Sequence, residues 1–206
     1  NDFHRTLKRA NKLGDAPFYQ RAFLDYRGRV YLNKSRVNYQ GGDLPRGLID
    51  FADGKKIRKS DMTYLWIHLA NTFGEKGTAK QLETAAKRNK AKFLKWGRNP
   101  VKWYSEWSKE SDDKWQFIRG CIELAELTKN PNHKSTLIVE ADQSTSCLQH
   151  IALVLNDQEL ACRVNLCKNY NDIYQEIADG IQELSKLKKE TRRKIIKMAL
   201  VPWTYG

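Results

Sequence analysis

The chain has 206 residues, with 37 Lys and Arg against 24 Asp and Glu, a net charge of +13 and a pI near 9.6. This length allows one or two compact domains, and the basic excess favours a polyanionic partner, usually nucleic acid, over a merely lysine-rich solvated surface. No signal-peptide pattern or membrane-spanning apolar run is present, and the scattered Cys and His argue against a zinc site. Four cysteines are expected to be reduced and mostly buried in an intracellular protein: Cys121, Cys147, Cys162 and Cys167.

The predicted elements begin with a basic helix over residues 3–14, closed by a glycine. A turn running into a strand follows over residues 25–31. Ser60 is a plausible N-cap for a helix that continues to Asn71. Apolar residues at helical spacing predict another helix over residues 115–127. Two more helices are predicted over residues 171–187 and 191–201.

Residues 74–112 are strongly charged, with helical stretches around residues 81–95. Trp96, Trp103 and Trp107 interrupt this pattern. Because 15 of its 39 residues are charged, the stretch is interpreted as a solvated, peripheral insertion.

A short apolar run, Leu137 to Val139, predicts a strand that ends just before Asp142. A carboxylate held at a strand end can bind Mg²⁺, which prefers oxygen ligands and supports phosphoryl and nucleotidyl transfer. By itself, Asp142 is more often a turn former or a helix N-cap.

Two other patterns suggest binding of phosphates. Arg193 and Lys197 lie one helical turn apart and share a face, so they could clamp a triphosphate; a solvated basic helix is the simpler alternative. The run Arg27-Gly28-Arg29 combines a permissive glycine with two guanidinium groups, and is a weak signal alone.

Together and in this order, the patterns resemble the phage-type, single-subunit DNA-directed RNA polymerases, a group that includes mitochondrial polymerases. The run from Asp142 to His150 is similar to the family's motif A, DGSCSGIQH, and the resemblance covers nearly the whole chain apart from residues 74–112. The matching segments are Phe18-Tyr19 with Asp25 to Tyr31, Gly41 to Leu44 with Gly47 to Ile49, Trp66 to Asn71, Asp142 to His150, Val164 to Leu166 with Asp172 to Tyr174, and Arg193, Lys197, Tyr205 and Gly206 of motif B.

The resemblance implies a two-metal reaction in which Asp142 is one of two metal-binding aspartates and the backbone carbonyl of Gln143 also reaches a metal. One of two Mg²⁺ ions would activate the RNA 3′-OH, and the other would hold the triphosphate of the incoming NTP. The family's second metal aspartate, in a His-Asp-Ser motif, is expected beyond Gly206 or on a second polypeptide. A chain that begins without Met and stops at this motif is accordingly expected to be a piece of something larger.

The remaining implied roles concern substrates and nucleic acid. Arg193 and Lys197 would bind the triphosphate, and Tyr205 would help select ribose. The resemblance assigns catalysis to Asp142, Lys197 and Tyr205, nucleotide binding to Arg193, Lys197, Tyr205 and Gly206, and nucleic-acid contacts to Arg27 and Arg29. The implied partners are a DNA template, the RNA product and NTPs, with no membrane.

The fold implied by the resemblance is α+β: a polymerase palm with a small antiparallel sheet, a helical insertion and the first fingers helices. Residues 1–17 would form a helix leading into the palm, residues 18–160 the palm, and residues 161–206 the start of the fingers. The location would be a host cytoplasm for a phage enzyme or a mitochondrion for an organellar one.

Two alternatives stay open from the sequence. A family A DNA polymerase shares motifs A and B but typically has a Glu five residues after the metal aspartate, where this chain has the small, uncharged Cys147. A non-catalytic, basic nucleic-acid-binding module would explain the charge without the chemistry.

Overall fold

The structure is a computed structural model that describes residues 2–26, 28–33, 35–140 and 145–205, with the backbone alone for 203–205. The chain forms two compact units, a first unit spanning Asn1–Glu140 and a second spanning Ala141–Gly206. These units divide at a different residue from the predicted palm and fingers segments, and that assignment stays a prediction.

Helices dominate both units, and the strands form two small antiparallel sheets. The fold is therefore α+β, as predicted. The first unit contains α1 (Asp2–Leu13), β1 (Ala22–Leu24), β2 (Val30–Leu32), α2 (Asp43–Gly47), β3 (Lys55–Lys56), α3 (Met62–Phe73), α4 (Ala79–Arg88), α5 (Lys90–Arg98), α6 (Tyr104–Glu110), α7 (Lys114–Lys129) and β4 (Lys134–Ser135). The second contains α8 (Ser146–Val154), α9 (Gln158–Arg163), α10 (Ile173–Gly180), a 3-10 turn (Gln182–Leu184) and α11 (Lys189–Tyr205).

The two sheets are both antiparallel pairs. β1 pairs with β2 in a hairpin that aligns Phe23 with Tyr31, and β3 pairs with β4. The predicted strand over Leu137 to Val139 is wrong, because no strand is assigned there. Beyond β4 the described residues show a single further bond of this pairing, from the backbone N–H of Phe51 to the carbonyl of Thr136 (2.8 Å), so the apolar run joins no ladder among them.

The core of the first unit is aromatic and lies between α3, α5 and α7. Phe93, Trp96 and Phe117 are fully buried. Three ring pairs are edge-to-face, Phe73 with Phe93 and Phe117 with Phe93 and Trp96, with centroids 5.0 to 5.9 Å apart. The rings of Phe93 and Trp96 are stacked, 6.1 Å apart. Such rings bury a large apolar area, and their edge-to-face geometry adds to it.

Residues 74–112 contribute directly to this core, so the expectation of a solvated insertion is wrong. Leu82 and Ala86 of α4 and Phe93 and Trp96 of α5 are buried, at helical spacings of four and three residues. The charged residues between them form the outer faces of the same helices, where Lys87 pairs with Glu83. Asp142 lies outside the described residues, so the predicted distance between it and this stretch stays a prediction.

Close helix packing depends on a glycine. A Cβ at Gly97 of α5 would lie 2.0 Å from the carbonyl oxygen of Cys121 in α7. The two helix backbones therefore approach too closely for any side chain at this position.

The second unit has its own core, formed by α8, α10 and α11 with the segment after α9. Its fully buried members are Val164 and Ala178, and Ile196 of α11 packs with them. Cys162 and Cys167 form a disulfide across this segment, which corrects the expectation that all cysteines are reduced. Their Cα atoms lie 4.7 Å apart because the chain turns sharply between them. Cys121 and Cys147 are free thiols.

Candidate nucleotide and nucleic-acid sites

Gly28 and Arg29 lie at the tip of the β1–β2 hairpin. The backbone N–H of Gly28 donates to the carbonyl of Asp25 (3.0 Å), and Gly28 has φ +74°, a conformation that favours glycine. The Asp25 carboxylate accepts the backbone N–H of Arg29 (2.9 Å), which fixes the tip. Arg29 is exposed there, as a nucleic-acid contact requires. Arg27, the other predicted contact, lies outside the described residues.

Arg193 and Lys197 lie on α11, four residues apart, in the second unit. The Nε–H of Arg193 donates to Oδ2 of Asp172 (2.5 Å), and its guanidinium lies 5.5 Å from the ring centroid of Tyr174. Lys197 is exposed. Arg193 is thus held by Asp172 and Tyr174, whereas Lys197 is exposed to solvent one turn later.

Asp172 was not among the predicted site residues, although it begins the matching Asp-Ile-Tyr segment. Its carboxylate has two roles: one oxygen accepts the backbone N–H of Gln175 (3.3 Å) as the N-cap of α10, and the other accepts the Arg193 Nε–H. Burial and the nearby Asp172 charge raise the pKa of the Tyr170 phenol, which the charge of Arg193 partly offsets. Asp172 therefore couples the start of α10 to the guanidinium on α11.

Motif A is described only from Thr145 onward. Thr145, at φ 58°, precedes α8, and Gln149 within α8 is buried. The Gln149 side-chain amide donates to the carbonyl of Val164 (2.7 Å), which joins motif A to the matching Val-Asn-Leu segment. Asp142 and Gln143, the predicted metal ligands, lie outside the described residues.

The Val-Asn-Leu segment is itself bound to the Asp-Ile-Tyr segment. Asn165 has φ +68°, its side-chain amide donates to the carbonyl of Asn171 (2.8 Å), and its side-chain oxygen accepts the Asn171 backbone N–H (2.6 Å). This reciprocal pair positions the residue immediately before Asp172. The sequence matched the family at Asn165, but spacing alone could not show that its side chain binds the backbone of Asn171.

The motif B tyrosine lies at the end of α11. The helix includes Pro202 and continues to Tyr205, beyond the predicted end at residue 201. The Tyr205 side chain and Gly206 lie outside the described atoms.

The Gly-Gly-Asp segment serves the structure of the first unit. Asp43 accepts the backbone N–H groups of Trp115 (2.9 Å) and Gln116 (3.0 Å), and so caps α7. A Cβ at Gly47 would lie 2.8 Å from the Trp115 backbone. This matching segment therefore fixes the start of a core helix.

Two kinds of feature are absent from the described ranges. No group of three or more His, Cys, Asp or Glu side chains in them is placed to hold a metal ion. None of their helices combines the length and apolar character needed to cross a bilayer.

Comparison with known proteins identifies the class of domain. A family model of DNA-dependent RNA polymerase matches residues 55–205. A probable DNA-directed RNA polymerase of Neurospora crassa is 32% identical over 92% of this chain and 22% of its own length. The mitochondrial DNA-directed RNA polymerase of Mus musculus is 30% identical over 97% of this chain and 18% of its own length.

A chloroplastic polymerase is similar to the chain to the same extent. DNA-directed RNA polymerase 3 of Nicotiana sylvestris is 30% identical over all of this chain and 24% of its own length. The chain belongs to the phage-type, single-subunit DNA-directed RNA polymerase family. It spans about a fifth of the length of these relatives.

Proposed function

We propose that this chain supplies motifs A and B of a DNA-directed RNA polymerase, which adds nucleotides from NTPs to an RNA 3′-OH on a DNA template. In this proposal residues 18–160 belong to the palm and residues 161–206 begin the fingers. An organellar location is favoured because the curated relatives include mitochondrial and chloroplastic enzymes.

The observation that carries the proposal is the arrangement around Arg193. Its Nε–H is used by Asp172, and no hydrogen bond from its two Nη groups is found among the described residues. These groups face no competing acceptor there and can bind a phosphate bidentately. Lys197, one turn along α11, supplies a second cation for the triphosphate and for the charge that develops on the leaving pyrophosphate.

Magnesium would be held by Asp142 and by the carbonyl of Gln143, both of which offer the oxygen ligands that it prefers. When bound, it supplies activation of the 3′-OH and neutralisation of phosphate charge. The second aspartate of the family would come from a His-Asp-Ser motif in further sequence or in a second polypeptide.

Ribose is the proposed sugar. Cys147 is half-buried and uncharged, so no carboxylate at this position crowds a 2′-OH. Selection of ribose then falls to Tyr205, whose phenolic hydroxyl can contact the sugar directly or through water. This distinguishes the proposal from a DNA polymerase.

The test is Asp142→Asn in a polymerase assembled with the His-Asp-Ser part. We expect single-nucleotide addition to a preformed RNA–DNA primer to fall by several orders of magnitude, with nearly unchanged template binding. Asp157→Asn is the matched control, because Asp157 caps α9 in the same unit and Asn retains the capping oxygen. Near-normal addition by Asp142→Asn would reject the catalytic role and favour a binding module.

A further inference from the structure

Helix α1 carries a row of four cations on one face. Arg5, Lys8, Arg9 and Lys12 are spaced three, four and seven residues from the first, so they share a face of the helix. All four side chains are exposed. We call this row the α1 basic stripe.

The opposite face of α1 is committed to the first unit. Thr6 is buried, and the ring of Phe3 lies 6.0 Å from that of Trp115. The acidic residue of the helix, Asp2, is paired with Arg36. The stripe is therefore fixed outward, and no carboxylate of its own helix is left to neutralise it.

In the described part of the chain, no ion pair across the surface neutralises the stripe. Among the described residues, none of its four side chains makes an ion pair or a hydrogen bond. Three lysines of α4 and α5 are instead paired with carboxylates: Lys87 with Glu83, Lys92 with Glu110 and Lys95 with Glu106. The charge on α1 is thus available to an external anion.

We propose that the α1 basic stripe binds the sugar–phosphate backbone of a nucleic-acid strand. Seven residues of helix span about 10 Å at about 1.5 Å per residue, and successive phosphates of one strand advance about 3.4 Å along the helix axis. The stripe therefore matches about three consecutive phosphates. Nucleic acid is the polyanion that a DNA-directed RNA polymerase binds, so this inference rests on the proposed function.

Other polyanions fit less well. A membrane-bound amphipathic helix inserts its apolar face, and that face of α1 is occupied by packing against the first unit. Protein interfaces are depleted in lysine at their centres, whereas phosphate contacts commonly use lysine and arginine. The stripe reads no base, so it should bind different sequences about equally.

The experiment compares two variants of equal charge in the complete polymerase. The stripe variant is Arg5→Gln, Lys8→Gln, Arg9→Gln and Lys12→Gln, and the control is Lys80→Gln, Lys87→Gln, Arg88→Gln and Lys90→Gln. The control residues are exposed and lie on or at the ends of α4 and α5. Fluorescence anisotropy with labelled single-stranded DNA and an RNA–DNA hybrid gives the binding constant between about 50 and 200 mM salt.

We expect the stripe variant to bind more weakly, and the slope of log Kobs against log salt to flatten by about 2 to 3, since each lost phosphate contact removes about 0.7 to 0.9. The double variant Lys8→Gln, Lys12→Gln should lose about half as much, which keeps the test decisive if the quadruple variant folds poorly. The control variant should keep the wild-type slope.

Three results would overturn the inference: an unchanged slope in the stripe variants, an equal loss in the control, or weakened adsorption to phosphatidylserine vesicles with normal nucleic-acid binding. Nucleotide addition at saturating template separates this inference from the proposed function. The stripe variants should retain addition, whereas Asp142→Asn should abolish it. If Asp142→Asn remains active, the polymerase proposal fails, and the salt slopes still decide the role of the stripe.

Discussion

Asp172 performs two tasks with one carboxylate, and a substitution can separate them. Asp172→Ser should keep the cap of α10, because serine caps helices well, while its short side chain cannot hold the Arg193 guanidinium. We expect KM for NTP to rise about tenfold. This corresponds to the loss of about 1.5 kcal/mol that one charge-assisted hydrogen bond contributes. Steady-state kinetics measure this change.

The control is Asp157→Ser, which changes a carboxylate that caps α9. It should leave KM for NTP unchanged. A similar rise of KM in both variants, or a large loss of thermal stability in Asp172→Ser alone, would assign Asp172 a structural role only.

His68 makes folding stability depend on pH. It lies in α3 with its Nε2 3.4 Å from the carbonyl of Gln116, and burial lowers its pKa from 6.5 to about 4, with smaller contributions from Arg46 and Arg119. Because the unfolded chain binds the proton more readily, stability due to neutral His68 is fully present above pH 6.5 and is lost as the pH falls towards 4.

The loss should reach about 3 kcal/mol, from about 1.4 kcal/mol per pKa unit. Urea unfolding at each pH measures it, and His68→Asn should remove this part of the pH dependence while His150→Gln, an exposed histidine, should not. An identical pH dependence in His68→Asn and the wild type would show that carboxylates alone are responsible.

Sequence spacing can place residues on one helix, but it does not reveal their partners. Spacing placed Arg193 and Lys197 on one helix, and the structure has both on α11. The ion pair of Arg193 with Asp172 spans 21 residues and forms only because α10 packs against α11. Such partners depend on tertiary packing, which local spacing does not encode. The predicted roles of Asp142, Gln143, Arg27, Tyr205 and Gly206 stay predictions.

At the scale of elements, the contact of α5 with α7 is the most constrained. Gly97→Ala would place a methyl group against the Cys121 carbonyl and force the helices apart, at a cost of about 2–3 kcal/mol. Gly180→Ala, at the end of α10, meets nothing within 4 Å and should change stability by less than about 0.5 kcal/mol. Chemical denaturation measures both.

Equal stability of these two variants would contradict the close approach of the two helices. A lower m-value in Gly97→Ala would point instead to a partly unfolded native state.

Two helices were predicted nearly to their ends. The predicted helices over residues 3–14 and 115–127 correspond to α1 and α7. The stretch over 74–112 was misread because its abundant charges masked a sparse stripe of large apolar residues, such as Leu82 and Trp96. The run before Asp142 was apolar enough for a strand, but a strand also needs a neighbour, which composition does not reveal.

For the whole molecule, the two compact units have separate cores. All members of the first core, with the side chains packed against it, lie within residues 62–137. We expect residues 1–140 produced alone to unfold cooperatively, because they contain every residue of this core. Urea unfolding monitored by circular dichroism and tryptophan fluorescence tests this expectation.

The emission will report mainly on the first unit, since five of the six tryptophans have numbers below 141. Trp203 in the full chain is the exception. A broad, non-cooperative transition of residues 1–140 would mean that the first core requires the rest of the chain.

The cap of α7 links chain order to the order of assembly. The first turn of this helix is completed by the carboxylate of Asp43, 72 residues earlier in the chain. During synthesis Asp43 leaves the ribosome before α7 does, so the carboxylate that caps α7 is already present when the helix emerges. The segment around Asp43 can then act as a template on which the last core helix of the first unit begins, and a defect there would appear first as slow maturation of newly made protein.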